Sequence, residues 1–173
     1  MSNPVTTFKL LEDCNLRDLI RINLGTSTEW ALVSTKTRDL LVVVVLSGKS
    51  APYSCNAMGG MGVKDEFADP VLYYGHDYTF APDHTGPCDV KSGQLFGANG
   101  SLLLSEVRSA PSFFLCCDFP EQGKKTYYDI NTGSLSGEPG GQKASFGRWS
   151  LWLNNTGMGE GTLIRLIEFS CSL

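Results

Sequence analysis

The chain predicts an all-β fold: a single-domain β-sandwich over residues 17–173, preceded by a short N-terminal amphipathic helix over residues 1–16. Three observations carry this expectation. Short runs of alternating apolar and polar residues recur from Leu19 to Ser170, the period of strands with one buried face. Glycine is abundant, at 19 residues, and charged residues make up only 18%, which suits short strands joined by tight turns. No repeat or composition break divides the chain, and 173 residues can bury one core without staples.

Taken in order, the first segment reads as a helix. Asn3 can cap it and Pro4 suits its first position. Val5, Phe8, Leu11 and Cys14 form a stripe opposite Lys9, Glu12 and Asp13, close to helical spacing. The period then changes. In Leu19 to Leu24, Ile20, Ile22 and Leu24 alternate with Arg21 and Asn23, as in a half-buried strand. Gly25-Thr26-Ser27 is a turn, and Glu29 to Ser34 and Leu40 to Leu46 are strands, the second rich in strand-favouring valine. Ser47 to Asp69 reads as a long loop with room for one short strand. Val71 to Tyr74 and Tyr78 to Phe80 flank a Gly75-His76-Asp77 turn, and Asp83 to Pro87 is another turn. Gly93 to Phe96 and Ser101 to Val107 are joined by the Ala98-Asn99-Gly100 hairpin signal. Phe113 to Ser134 is a hairpin, Gly133 to Gly147 a loop, and Arg148 to Leu153 and Thr162 to Ser170 are the closing strands. Many short strands at this spacing point to a sandwich.

Composition excludes several functions. A formal charge of -4 argues against a nucleic-acid partner, because phosphate neutralisation needs a basic face. The longest apolar run, Leu40 to Leu46, is too short to span a bilayer as a helix. No apolar run precedes the first charges, so no signal peptide is expected. Cytoplasmic residence, or release by a non-classical route with action at membranes, follows. The six cysteines, Cys14, Cys55, Cys88, Cys116, Cys117 and Cys171, lack C-x-x-C spacing, so no zinc site is expected. They are read as free, mostly buried thiols.

Signs of catalysis are weak. His76 and His84 both stand beside acids in turns, and no G-x-S-x-G elbow accompanies them. They read as solvated loop histidines, neither a triad nor, with Asp77 and Asp83, a metal site. Asp65, Glu66 and Asp69 lack the alternating ligands of a calcium loop. Gly59-Gly60-Met61-Gly62 lacks the lysine and helix of a phosphate loop. No catalytic residue, metal or cofactor is expected.

The hairpin is the most informative stretch, FFLCCDFPEQGKKTYYDINTGS. The adjacent Tyr127 and Tyr128 put one ring on each strand face, so one of them is expected to look outward and dock a ligand. Trp149 and Trp152 lie three apart on a strand and face opposite sides. One should be core, and Trp152 is taken as the exposed ring.

The order of elements resembles the actinoporin-like proteins, the sea-anemone cytolysin family. Arg17 to Leu32 is similar to the family's first strand and turn, and Phe80 to Gly97 carries its Thr-Gly-Pro and Gly-x-x-Phe. Phe114 to Ser134 resembles its lipid-binding hairpin, through Pro120, Tyr127, Tyr128, Asp129, Ile130 and Gly133. The resemblance implies a non-enzymatic protein that binds membrane lipid headgroups, with homo-oligomerisation and pore formation on the membrane as its furthest extension. Its site would comprise Tyr127, Tyr128, Pro120 and Trp152, with Lys124 and Lys125 meeting phosphate oxygens. A helix of fifteen residues reaches only about 22 Å, short of a bilayer core of roughly 30 Å, so binding without efficient lysis is expected. The same rings could instead stack on glycans, as in the fungal fruit-body lectins that share the sandwich. A structural or self-assembling protein is the third reading.

Overall fold

The computed structural model describes residues 7–59, 62–86, 93–99, 112–140, 142–155 and 162–170. Strands dominate, fourteen of them in one connected sheet among these residues. They are β1 (Thr7–Lys9), β2 (Leu19–Leu24), β3 (Ser27–Lys36), β4 (Leu41–Val45), β5 (Tyr53–Gly59), β6 (Gly62–Val63) and β7 (Val71–Gly75). The second half holds β8 (Tyr78–Gly86), β9 (Leu95–Asn99), β10 (Ser112–Phe119), β11 (Lys124–Asp129), β12 (Leu135–Ser136), β13 (Gln142–Asn155) and β14 (Thr162–Ser170). Single 3-10 turns stand at Leu11–Asp13, Asp65–Phe67 and Pro120–Gln122. Among the described residues no helix is long and apolar enough to cross a membrane.

The strand path runs β1-β7-β2-β3-β4-β5, then β10-β9-β13-β14. The two parts meet at one parallel register point, Asp118 opposite Tyr53. Side chains strengthen that thin joint. The Ser54 hydroxyl reaches the Asp118 carbonyl at 3.2 Å and the Thr126 hydroxyl at 3.0 Å. On the far side β13 pairs with β8 along one edge and with β9 and then β14 along the other.

Strand alternation sorts the apolar residues into two cores. Ile20, Ile22, Ala31, Val33, Val43 and Val45 face one way and pack with Leu11, Cys14 and Phe67 from the 3-10 segments. Leu19, Leu32 and Val44 face the other way and pack with Leu115, Tyr128, Trp149 and Leu151 from the second half of the sheet. β4 therefore lies between two cores, and all five of its residues are buried. This is why its sequence is continuously apolar instead of alternating.

The structure corrects several expectations. Thr7–Lys9 is a strand paired with β7, and Leu11–Asp13 is a single 3-10 turn. The helix expected over residues 1–16 is thus absent from residues 7–16, and residues 1–6 lie outside the described residues. Backbone pairing with Val71–Tyr73 satisfies the amides of β1, where a short isolated helix is marginal. The Lys36 ammonium donates to the Glu12 and Cys14 carbonyls at 2.6 and 2.8 Å, closing the 3-10 turn. The stripe splits accordingly: Leu11 and Cys14 enter the core, while Phe8 is 72% exposed. The loop expected over Ser47–Asp69 contains β5 and β6. The turn at Asp83 is a continuation of β8, and β13 begins five residues before Gly147. The strand expected at Ser101–Val107 lies outside the described residues.

Candidate functional site

The hairpin forms as expected, but its aromatic rings do not look outward. β10 and β11 pair from Phe114 opposite Asp129 to Phe119 opposite Lys124. Tyr128 is fully buried in the second core. Tyr127, on the opposite face, is 6% exposed and packs with Cys116 and Phe114. Burial pushes the Tyr127 phenol up to about 12, helped by the neighbouring Cys116 and Glu138. The premise that one strand face must be open fails because both faces of β11 are covered. Neither ring can serve as a ligand platform in this conformation. The Tyr128 and Tyr78 hydroxyls lie near each other and near Arg17, close enough to influence each other's ionisation. Neither reaches a partner at hydrogen-bonding geometry.

The remaining expected residues separate in space. Lys124 and Lys125 are exposed at the start of β11. Pro120 opens a 3-10 turn and lines a cavity of about 400 Å³ with Leu24, Glu29 and Tyr53. Trp152 lines a different groove of about 260 Å³, built from β8, β13 and β14. No residue of the hairpin lines that groove.

The Trp152 groove has a definite construction. Alternation along β13 buries Trp149, Leu151 and Leu153 and turns Ser150 and Trp152 outward. Trp149 anchors the floor: its indole N–H donates to the Gly93 carbonyl at 2.7 Å, and it stacks on Phe169 at 5.4 Å. The Trp152 indole N–H donates to the Ser150 hydroxyl at 2.7 Å. That bond fixes the orientation of the half-buried ring. The Arg165 guanidinium stands 5.9 Å from the ring centroid and pairs with Glu168 at 3.0 Å. Arg148 reaches Glu168 at 3.4 Å and Asp83 at 3.7 Å. These four charged side chains are all about half exposed, so their ion pairs hold weakly and can open to a ligand. The result is one flat ring, two guanidinium donors and two carboxylate acceptors around a shallow groove of balanced charge.

A second pairing was not legible in the sequence. Asp18 is fully buried, and its two carboxylate oxygens meet the Asn15 amide at 2.7 Å and His76 Nδ1 at 3.0 Å. His76 thus leans on Asp18, not on its neighbour Asp77, which bonds Asn154. The imidazole is 62% exposed, and among the described residues no hydroxyl or thiol is hydrogen-bonded to it. A nucleophile–base pair is therefore not formed there. Nor do three His, Cys, Asp or Glu side chains converge as a metal site among the described residues. The His84 side chain lies outside them.

Thiol chemistry is also suppressed at the four cysteines among the described residues. Cys14, Cys55, Cys116 and Cys117 are unpaired thiols. Burial pushes Cys14 and Cys116 up to about 11 and Cys55 to about 12, and raises Cys117 as well. Such thiols are almost wholly protonated at neutral pH and are poor nucleophiles.

Fold and site together define an all-β chain with an aromatic, charge-balanced surface groove. Comparison with protein-family models, curated proteins and solved structures found no match.

Proposed function

We propose that this chain is a non-enzymatic carbohydrate-binding β-sandwich whose ligand site is the Trp152 groove. The packing of the two halves of the sheet through the second core supports the sandwich description. The observation that carries the function is the half-buried Trp152 ring, locked by Ser150 and flanked by Arg148, Arg165, Asp83 and Glu168. A sugar presents an apolar C–H face and a rim of hydroxyls. The indole face takes the first. Guanidinium donors and carboxylate acceptors take the second, since a hydroxyl both donates and accepts. Equal numbers of cations and anions favour a neutral saccharide over a charged one. Glycan-array screening, followed by titration of Trp152→Ala with the best glycan, tests this. An aromatic anchor is worth about 1–3 kcal/mol, so the variant should bind at least tenfold more weakly while its circular dichroism stays that of the parent. No glycan bound, or a folded variant binding as the parent does, overturns the reading.

One observation favours membrane-lipid binding as a second reading. Phe8, Leu10 and Leu16 are exposed within nine residues of one another, at 72%, 44% and 41%. Several large apolar side chains exposed in one short segment suit a lipid interface. This replaces the hairpin as the lipid-facing element. Vesicle co-sedimentation of the parent against Phe8→Ser/Leu10→Ser tests it, and equal sedimentation of the two refutes it.

A further inference from the structure

The larger cavity, of about 400 Å³, opens at the margin of the first core, where Leu24 and Tyr53 end the apolar face of the sheet. It lies among the β2–β3 turn, the loop that follows β4 and the Pro120 turn. None of its residues belongs to the Trp152 groove. Its wall carries one carboxylate, Glu29, and one ammonium, Lys49.

The carboxylate is built into place. The Trp30 amide donates to the Ser47 hydroxyl at 2.8 Å, and that hydroxyl donates to Glu29 Oε2 at 2.6 Å. Hydrogen bonds from Ser47 and then Ser27 hold the Glu29 carboxyl below its ordinary value. Gly48, at φ +100°, completes the cradle: a Cβ there would come within 3.0 Å of the Glu29 carboxyl group. A surface glutamate with no role is a freely rotating side chain. This one is held by a chain of donors and admitted by a glycine. The Ser47 hydroxyl occupies part of a carboxylate that offers about four lone-pair sites, so it retains capacity to accept from a ligand. The other wall is apolar, from Leu24, Tyr53 and Pro120.

We propose that this cavity binds a small zwitterion, a free α-amino acid with an apolar side chain. Its ammonium lies on Glu29, its carboxylate faces Lys49, and its side chain rests on Leu24, Tyr53 and Pro120. The fixed acid disfavours an anion alone as the ligand. Lys49, on the same cavity wall, disfavours a simple cation. A ligand carrying both charges satisfies both residues, and the apolar wall takes the rest.

The test is thermal-shift and calorimetric titration of the intact chain with L-leucine, N-acetyl-L-leucine and L-leucinamide. L-Leucine should bind saturably and raise the melting temperature. Each analogue lacks one of the two charges and should bind at least tenfold more weakly. Glu29→Gln keeps an acceptor for Ser47 but loses the charge, and it should lower L-leucine affinity at least tenfold. Lys49→Met lies outside the Ser47 network and should fold as the parent does while losing affinity for the carboxylate. It decides the matter if Glu29→Gln does not fold. Overturning results are no L-leucine binding at about 10 mM, analogues binding as well as L-leucine, or a folded Glu29→Gln or Lys49→Met protein with the parent's affinity.

Discussion

Replacing Tyr128 separates a core role from a ligand-docking role, and the two substitutions that do so have opposite expected signs. The ring is fully buried among Leu115, Cys117 and Trp149, yet its hydroxyl has no hydrogen-bond partner. A buried hydroxyl without a partner costs about 1–3 kcal/mol in protein mutational data. Tyr128→Phe keeps the ring and removes that cost. The Tyr78 hydroxyl and Arg17 Nε stay unsatisfied nearby, so only part of it is recovered. The expected change is between no effect and a gain of about 1 kcal/mol, or a rise of roughly 2–4 °C in melting temperature for a chain of this size. Tyr128→Ala removes the ring itself. Aromatic-to-alanine changes in a core cost about 3–5 kcal/mol, a large share of the stability of a typical domain. Urea unfolding followed by tryptophan fluorescence measures both, with the m-value checking that the unfolding transition is unchanged. Two results would refute the reasoning. A loss above about 1 kcal/mol in Tyr128→Phe would mean that the hydroxyl makes a bond. An Ala variant as stable as the parent would mean that the ring is not core.

Three further outcomes follow from the same geometry. Gly133→Ala should destabilise by at least about 2 kcal/mol, because Gly133 has φ +76° and the added Cβ would lie 2.4 Å from Arg17 Cγ; urea midpoints within experimental error of the parent would contradict this. Glu29 has a folded-state pKa below its ordinary 4.5, so its contribution is fully present above about pH 4.5 and is lost as pH falls through the folded value. Melting curves of parent and Glu29→Gln should therefore converge between pH 6 and pH 3, and parallel profiles would count against the Ser47–Glu29 bond. Cys14, Cys55, Cys116 and Cys117 should label slowly with a disulfide reagent at pH 8 in the native protein and fully in denaturant; rapid native labelling mapped to these four positions would show that they are not buried.

Much of the fold was legible because strand periodicity is a local property. The alternation in Leu19–Leu24 and Thr162–Ser170 marks strands with those same bounds. That Trp149 and Trp152 lie on opposite faces follows from their spacing. The strand expected at Leu40–Leu46 is found at Leu41–Val45, because its valines favour strand whether one face or two are buried. Where the expectations failed, a distant segment decided the outcome. The stripe of Phe8, Leu11 and Cys14 fits a helix, but β7, more than sixty residues away in sequence, offers β1 a strand to pair with. Adjacent Tyr127 and Tyr128 must face opposite sides of β11, and that much is sequence. Whether a side is open depends on what covers it, and here both are covered.

The candidate sites divide in the same way. Residue type and alternation single out Trp152. The residues that make its surroundings a groove, Asp83 on β8 and Arg165 and Glu168 on β14, come together only because both strands pair with β13. Asp18 and His76 stand 58 residues apart, and Glu29 and Ser47 stand 18 apart. No spacing rule links either pair. By itself the sequence determined which residues can lie on which face of a strand, because side-chain direction is set by the local backbone. The tertiary structure alone decided which faces meet water, a core or a charged partner, because that depends on strands brought together from distant parts of the chain.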